Sequence, residues 1–243
     1  MVGLIVPVAL LVIWHLVAKS GAFSPSQLPP PGDVLEALGE LLRRGDLWTH
    51  LQTSVSRVFA GYLAGAAVAL VLGSLIGLSA TVRRLFAPTV AALRTVPSLA
   101  WVPLLLLWFG IGETPKVTLV AIGAFFPIYT TTASALSHVD AQLLEVGRAY
   151  GRRGAALVTT VMLPAAAPAL VNGLRLGLAN AWLFLVAAEL IASSKGLGFM
   201  LIDSQNTGRT DIMLLAIGLL AGLGKLTDSL FGIFEARLVR KRS

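Results

Sequence analysis

The chain is 243 residues long, 56% of them hydrophobic and only 13% charged, with a mean hydropathy of +0.82. Soluble domains carry about 25% charged residues, so this composition excludes an ordinary water-soluble enzyme and a disordered chain. The net charge is +7, yet the basic residues fall between long apolar runs instead of clustering on one face, which argues against a nucleic-acid binder. Cysteine is absent, excluding disulfides, thiolate metal sites and cysteine nucleophiles. The remaining class is an all-α integral membrane protein.

A helix that crosses a bilayer needs roughly 20 mostly apolar residues. In chain order, six segments are expected to cross: about 2–18, 57–79, 95–111, 117–136, 168–192 and 212–234. The first has no basic residue before it and no A-x-A site after it, so it reads as a retained span and not a cleaved signal peptide. Next, Pro29-Pro30-Pro31-Gly32 breaks the chain. Asp33 is then placed to cap an amphipathic helix with Val34, Leu35, Leu38, Leu41 and Leu42 on its apolar side, lying along the membrane surface. The third span carries Pro97 and Pro103 and is expected to be bent and bundle-facing. Gly-xxx-Gly pairs at Gly61/Gly65, Gly73/Gly77, Gly173/Gly177 and Gly218/Gly222 predict close packing of spans two, five and six. No separate soluble domain fits, so residues 1–243 read as one membrane domain.

Charge orients the chain. With both termini inside, the inner segments 80–94, 137–167 and 235–243 hold ten Lys/Arg and three acids, against six Lys/Arg and seven acids outside. The excess thus falls on the cytoplasmic side, as the positive-inside rule requires. This predicts a multi-pass protein of the cell inner (plasma) membrane. Gly222-Leu223-Gly224-Lys225-Leu226-Thr227 is not a phosphate loop, because Leu219 and Leu226 stand where Gly and Ser or Thr are needed. His15, His50 and His138 are isolated, no nucleophile elbow is present, and no cofactor or metal is expected.

The segment between spans four and five reads Glu145-Val146-Gly147-Arg148-Ala149-Tyr150-Gly151, nine residues, then Val161-Met162-Leu163-Pro164. Residues 139–150 have helical spacing, with Leu143, Val146, Gly147 and Tyr150 along one side. Gly151 allows a turn or close backbone contact, and Pro164 and Pro168 mark re-entry to the membrane. A short amphipathic helix held between two spans is a lever: force on it moves both.

This pattern resembles the EAA loop of type I ABC importer permeases, EAA-x3-G-x9-I-x-L-P. Glu145, Gly151, Leu163 and Pro164 match at the right spacing, while Val146 and Gly147 replace the two alanines and Val161 the isoleucine. Pro97 to Leu104, Trp108 to Glu113, Ala188-Glu189 and Gly196-Leu197-Gly198 look like the nitrate/sulfonate/taurine branch. Phe126 to Tyr129 and Gly224 to Asp228 look most like the aliphatic sulfonate permeases. The resemblance implies a coupling helix carrying Glu145, Val146, Gly147, Tyr150 and Gly151, with Leu163 and Pro164 closing the motif. It further implies two copies of an ATP-binding cassette subunit, a periplasmic or lipid-anchored substrate-binding protein, and a second, identical permease chain. The substrate it implies is a small organic anion, aliphatic sulfonates first, with taurine, nitrate or another small solute of the branch as the alternative. From outside the family, an ion-gradient-driven transporter or channel and a small membrane enzyme are the competing readings. Neither internal repeats nor a reactive constellation supports them.

Ionisable residues at span depth face a bundle or a wet cavity. Arg175, Trp182 and Glu189 are seven apart and share a helix face. That face either lines the pathway, with Arg175 attracting an anion, or anchors the span at its two charged ends. Pro97 and Trp101 join these as candidate pathway residues. Lys225 and Asp228 are one turn apart and are expected to form a structural ion pair.

Overall fold

The computed structural model describes residues 5–240, with side chains at all of these except Ser98, Ala192, Phe234 and 236–240; the ends of the expected first span and of the basic C-terminal cluster lie outside them. Among the described residues the chain is helical throughout: α1 (Ile5–Lys19), α2 (Pro31–Arg44), α3 (Asp46–Leu78), α4 (Ala80–Thr95), a 3-10 turn (Ser98–Trp101), α5 (Val102–Phe109), α6 (Glu113–Ser137), α7 (Ala141–Ala149), α8 (Gly154–Leu157), a π-helical turn (Val158–Met162), α9 (Leu163–Ala192), α10 (Leu197–Asn206) and α11 (Thr210–Arg240). Four helical stretches are long and apolar enough to cross a membrane: 46–78, 113–137, 154–191 and 210–233. A bent pair, 80–95 with 99–109, makes up to five.

The expected third span, 95–111, is therefore not one helix. The residue before a proline is pushed out of the helical region, and Val96, before Pro97, is extended at ψ 123°. The two helical arms meet at 85°. Residues 80–94, read as a loop, instead form α4, capped by the Ser79 hydroxyl accepting from Val82 N–H. At 15 residues, α1 is shorter than a full crossing.

The chain divides into two compact units, residues 1–56 with 189–223 and residues 57–188 with 224–243. In the first, Ala37 and Leu41 of α2 are buried with Leu47, Leu197, Met200, Leu215 and Ala216. Thus α2 packs its apolar side on protein, leaving only Leu35 and Leu42 exposed. Pro30 holds the cap position and Asp33 falls in the first turn. Arg209 ties this unit together, bonding Glu40 at 2.9 Å and Asp211 at 2.8 Å.

In the second unit, α3 and α6 approach through glycine. A Cβ at Gly61 would lie 2.6 Å from that of Val120, at Gly73 2.9 Å from that of Thr132, and at Gly77 2.8 Å from that of Leu136. At Gly65 it would run into the Ala121 carbonyl. Gly173 and Gly177 of α9 meet Thr131 and Ile128 in the same way. Gly218 and Gly222, expected to do likewise, meet nothing within 4 Å. Val102, Leu105, Leu119 and Ala188 form a second buried cluster.

Two outcomes are expected. Gly65→Val should lower stability by about 1–3 kcal/mol through overpacking, read as a lower thermal midpoint, whereas Gly39→Ala, with open space at its Cβ, should be neutral or stabilise by up to about 1 kcal/mol. Arg209 holds the Glu40 carboxyl below its ordinary value by hydrogen bond and charge. A lowered carboxyl stabilises the fold above its unfolded pKa, and that stabilisation is lost as pH falls through the lowered folded value. A pH series of melting curves on wild type and Glu40→Gln should show this acid-side loss reduced in the variant.

Candidate functional site

The loop between α6 and α9 is built as two halves of one motif. Asp140 caps α7, its carboxylate accepting from Gln142 N–H at 2.8 Å. The helix ends where Gly151 takes φ +76°, a left-handed value that favours glycine. Arg152 N–H then bonds Gly147 O at 3.0 Å and Gly151 N–H bonds Arg148 O at 2.9 Å, closing the last turn. Gly147 is buried: an added Cβ would lie 2.7 Å from Leu157 and 3.0 Å from Val161. The second half of the motif is thus the seat of the first, with the π-helical turn bringing Val161 to the glycine. Leu163, 36% exposed, and Pro164 then open α9.

The sequence puts Leu143, Val146, Gly147 and Tyr150 on one side. The structure turns Gly147 inward and leaves Leu143, Val146 and Tyr150 exposed, Tyr150 at 83%. Glu145 is also exposed and makes no ion pair among the described residues. The result is an apolar stripe with a carboxylate beside it, on a short rod fixed to a long helix.

The expected pathway residues fall into different surroundings. Trp101 lines an apolar pocket of about 340 Å³ with Gly65, Leu93, Phe125 and Phe126; its indole N–H has no hydrogen-bond partner among the described residues. Pro97 caps the 3-10 turn that carries it. Arg175 and Trp182 share a pocket of about 180 Å³ with Thr227 and Asp228. The Trp182 indole donates to Thr227 Oγ1 at 3.0 Å. Arg175 grips Asp228 in a fork, Nε to Oδ1 at 2.5 Å and Nη2 to Oδ2 at 2.9 Å, and reaches Glu235 at 3.5 Å. Asp228 is therefore principally Arg175's partner. Lys225 stands 3.7 Å away and is 78% exposed. Sequence spacing along one helix cannot register a partner from another.

Glu189 belongs to a buried knot in the first unit. It is 0% exposed. The Ser54 hydroxyl lies 2.9 Å from both its oxygens, and Gly198 N–H donates to it at 2.8 Å. Ser54 Oγ in turn accepts from Leu197 N–H at 2.8 Å, and His50 Nδ1 accepts from Gly196 N–H at 3.0 Å. Gly196 has φ +121°, and a Cβ there would strike the carboxylate. The group satisfies the orphan N–H donors that begin α10.

Sequence reasoning missed the Arg209 cluster above and a second one around Glu113. Arg57, 4% exposed, binds Glu113 through Nε and Nη2 at 2.5 and 2.6 Å. Lys116, 5% exposed, adds a bond of 3.1 Å to the same carboxylate. The available signal was a lone arginine at the start of an otherwise apolar run.

Four long apolar helices and a short exposed helix between two of them are the frame of a membrane-embedded protein. Residues 58–240 match the family of the binding-protein-dependent transport system inner membrane component. The chain is 40% identical to the aliphatic sulfonates transport permease protein SsuC of Bacillus subtilis, over 100% of this chain and 88% of that protein. It is 36% identical to the taurine transport system permease protein TauC of Escherichia coli, over 94% and 85%, and 32% identical to the nitrate import permease protein NrtB of Leptolyngbya laminosa, over 79% and 69%. A chain of the inward-facing MetNI methionine ABC transporter shares the fold, with a TM-score of 0.66 at 22% identity over 81% of this chain and 97% of that one. The chain belongs to this family: it is a membrane-embedded permease subunit of an ABC importer, a transport subunit and not an enzyme. That membership sets aside the ion-gradient transporter.

Glu189→Gln replaces one acceptor oxygen by a donor facing Ser54 and Gly198 N–H. A loss of about 1–3 kcal/mol is expected, seen as a lower thermal midpoint of the purified chain; an unchanged midpoint would remove the knot from the account of α10.

Proposed function

We propose that this permease carries aliphatic sulfonates, as one of two identical chains in the cell inner membrane with both termini cytoplasmic. Two ATP-binding cassette subunits supply the energy, and a periplasmic or lipid-anchored binding protein delivers the solute. One observation carries the reading: α7 offers Leu143, Val146 and Tyr150 outward while Gly147 locks the same helix onto the base of α9. A rod exposed on one side and wedged on the other transmits a push. ATP binding on the partner would bias two states of the permease through the contacts made in each. Glu145 and Gly151 support that contact, the first by charge or hydrogen bond and the second by its closed turn.

Identity to sulfonate permeases along the whole chain favours sulfonate over taurine or nitrate. For the pathway, the reading favours Trp101, Trp182 and the Arg175 pocket, with Pro97 setting the bend. Glu189 contributes by fixing the start of α10.

The test is ATP hydrolysis in liposomes holding permease, ATPase and binding protein. Val146→Glu places a charge in the apolar stripe without touching the Gly147 seat; ATPase co-purification and sulfonate-stimulated hydrolysis should each fall by about tenfold, with the permease's own thermal midpoint unchanged. Full stimulation in that variant would rule out α7 as the contact. Stimulation by nitrate but not by an alkanesulfonate would overturn the substrate and leave the coupling intact.

A further inference from the structure

A pocket of about 250 Å³ lies between α4 and α6. Its polar lining is Arg83 and Arg94 from α4, with Tyr129, Thr130, Ser134 and Ser137 from α6; no carboxylate lines it. Arg44, Arg57, Arg175 and Arg209 meet carboxylates, whereas the exposed Arg84, Arg148, Arg152 and Arg153, like the exposed Arg83 and Arg94, meet none among the described residues. Arg83 and Arg94 have no hydrogen bond or ion pair from their side chains among the described residues. They are eleven residues apart, close to three whole helical turns, so they share a face of α4 about 16 Å apart along its axis.

The hydroxyls add donors to a lining that is otherwise apolar. Tyr129 is 8% exposed, and its hydroxyl has no partner among the described residues. The Ser134 hydroxyl is similarly unengaged, whereas Thr130 and Ser137 donate to carbonyls of their own helix. Two forked cations and two unspent hydroxyl donors, with no acidic group among them, are chemically suited to one class of ligand. An oxyanion accepts from several N–H and O–H groups at once, and guanidinium matches its geometry. The volume suits a headgroup or a small organic anion and is below that of a drug-sized ligand. The pocket reaches the start of the loop that carries α7, since Ser137 is the last residue of α6, and it also touches Ile76 two residues from the end of α3.

We propose that this pocket binds an oxyanion, a sulfonate or phosphate group held between Arg83 and Arg94 with Tyr129 and Ser134 as further donors. Such a group either arrives on a small water-soluble solute or belongs to an anionic phospholipid headgroup. The site does not depend on which solute the importer carries.

The test uses the purified full chain in zwitterionic detergent. Methanesulfonate and inorganic phosphate are titrated by calorimetry, and retention of phosphatidylglycerol against phosphatidylcholine is read by native mass spectrometry. Arg83→Gln and Arg94→Gln should each weaken the bound probe by about tenfold, the loss of one charge-assisted contact. Arg94→Lys should retain part of the affinity, since it keeps the charge without the fork. Tyr129→Phe, which removes one oxygen from the wall, should cost a smaller factor and guards against misfolding of the arginine variants. Arg84→Gln changes the same charge on the same helix but does not line the pocket, and should bind as wild type. Binding of the soluble probes assigns a small anion, and selective retention of phosphatidylglycerol assigns a lipid headgroup; either result upholds the oxyanion site. Absence of both overturns it, as does an Arg84→Gln loss equal to that of Arg94→Gln.

Discussion

A bilayer interior offers no water to a polar group, so a carboxylate or guanidinium on a spanning helix must be met by its own chain. That constraint shapes the polar interior of this permease. Glu189 is enclosed by Ser54 and the amides that begin α10. Glu113 is shared by Arg57 and Lys116, and Asp228 is gripped by Arg175. None of these groups can move alone without leaving a costly partner behind.

Glycine supplies the complementary device. Without a hydrophobic effect between lipid-exposed helices, association depends on close van der Waals contact. The run of Gly61, Gly65, Gly73 and Gly77 lets α3 approach α6 closely enough for side chains of one to meet backbone of the other. Gly147 repeats the device at the coupling loop, where the absent methyl group makes room for Leu157 and Val161. The familiar motif spacing then has a mechanical meaning. Its two halves are the wedge and the socket, and the residues between them form the turn that brings them together.

Much of the architecture was legible in the chain. Apolar run lengths found the long spans, and the glycine spacing marked α3 and α9 as closely packed without naming α6 as their partner. The helical spacing over 139–150 found α7 to within two residues at either end. The errors fell where a local rule met a distant partner. The helix at 80–95 was hidden because Arg83, Arg84 and Arg94 dilute its hydropathy, and its bend at Pro97 divided what looked like one span. Lys225 does pair with Asp228 at 3.7 Å, as their one-turn spacing suggested, but the closer partner, Arg175 from another helix, was not visible in that spacing.

The sequence by itself determined the class of protein, the four longest spans and the short helix between two of them, because these depend on hydrophobic run length and helical period within one stretch of chain. Only the tertiary structure decided which charges neutralise each other, which face of α7 is left open, and that Arg83 and Arg94 share a wall with Tyr129. Such pairings join residues distant in sequence, and electrostatic and hydrogen-bond energies depend on separation in space, which no periodicity along a single helix records.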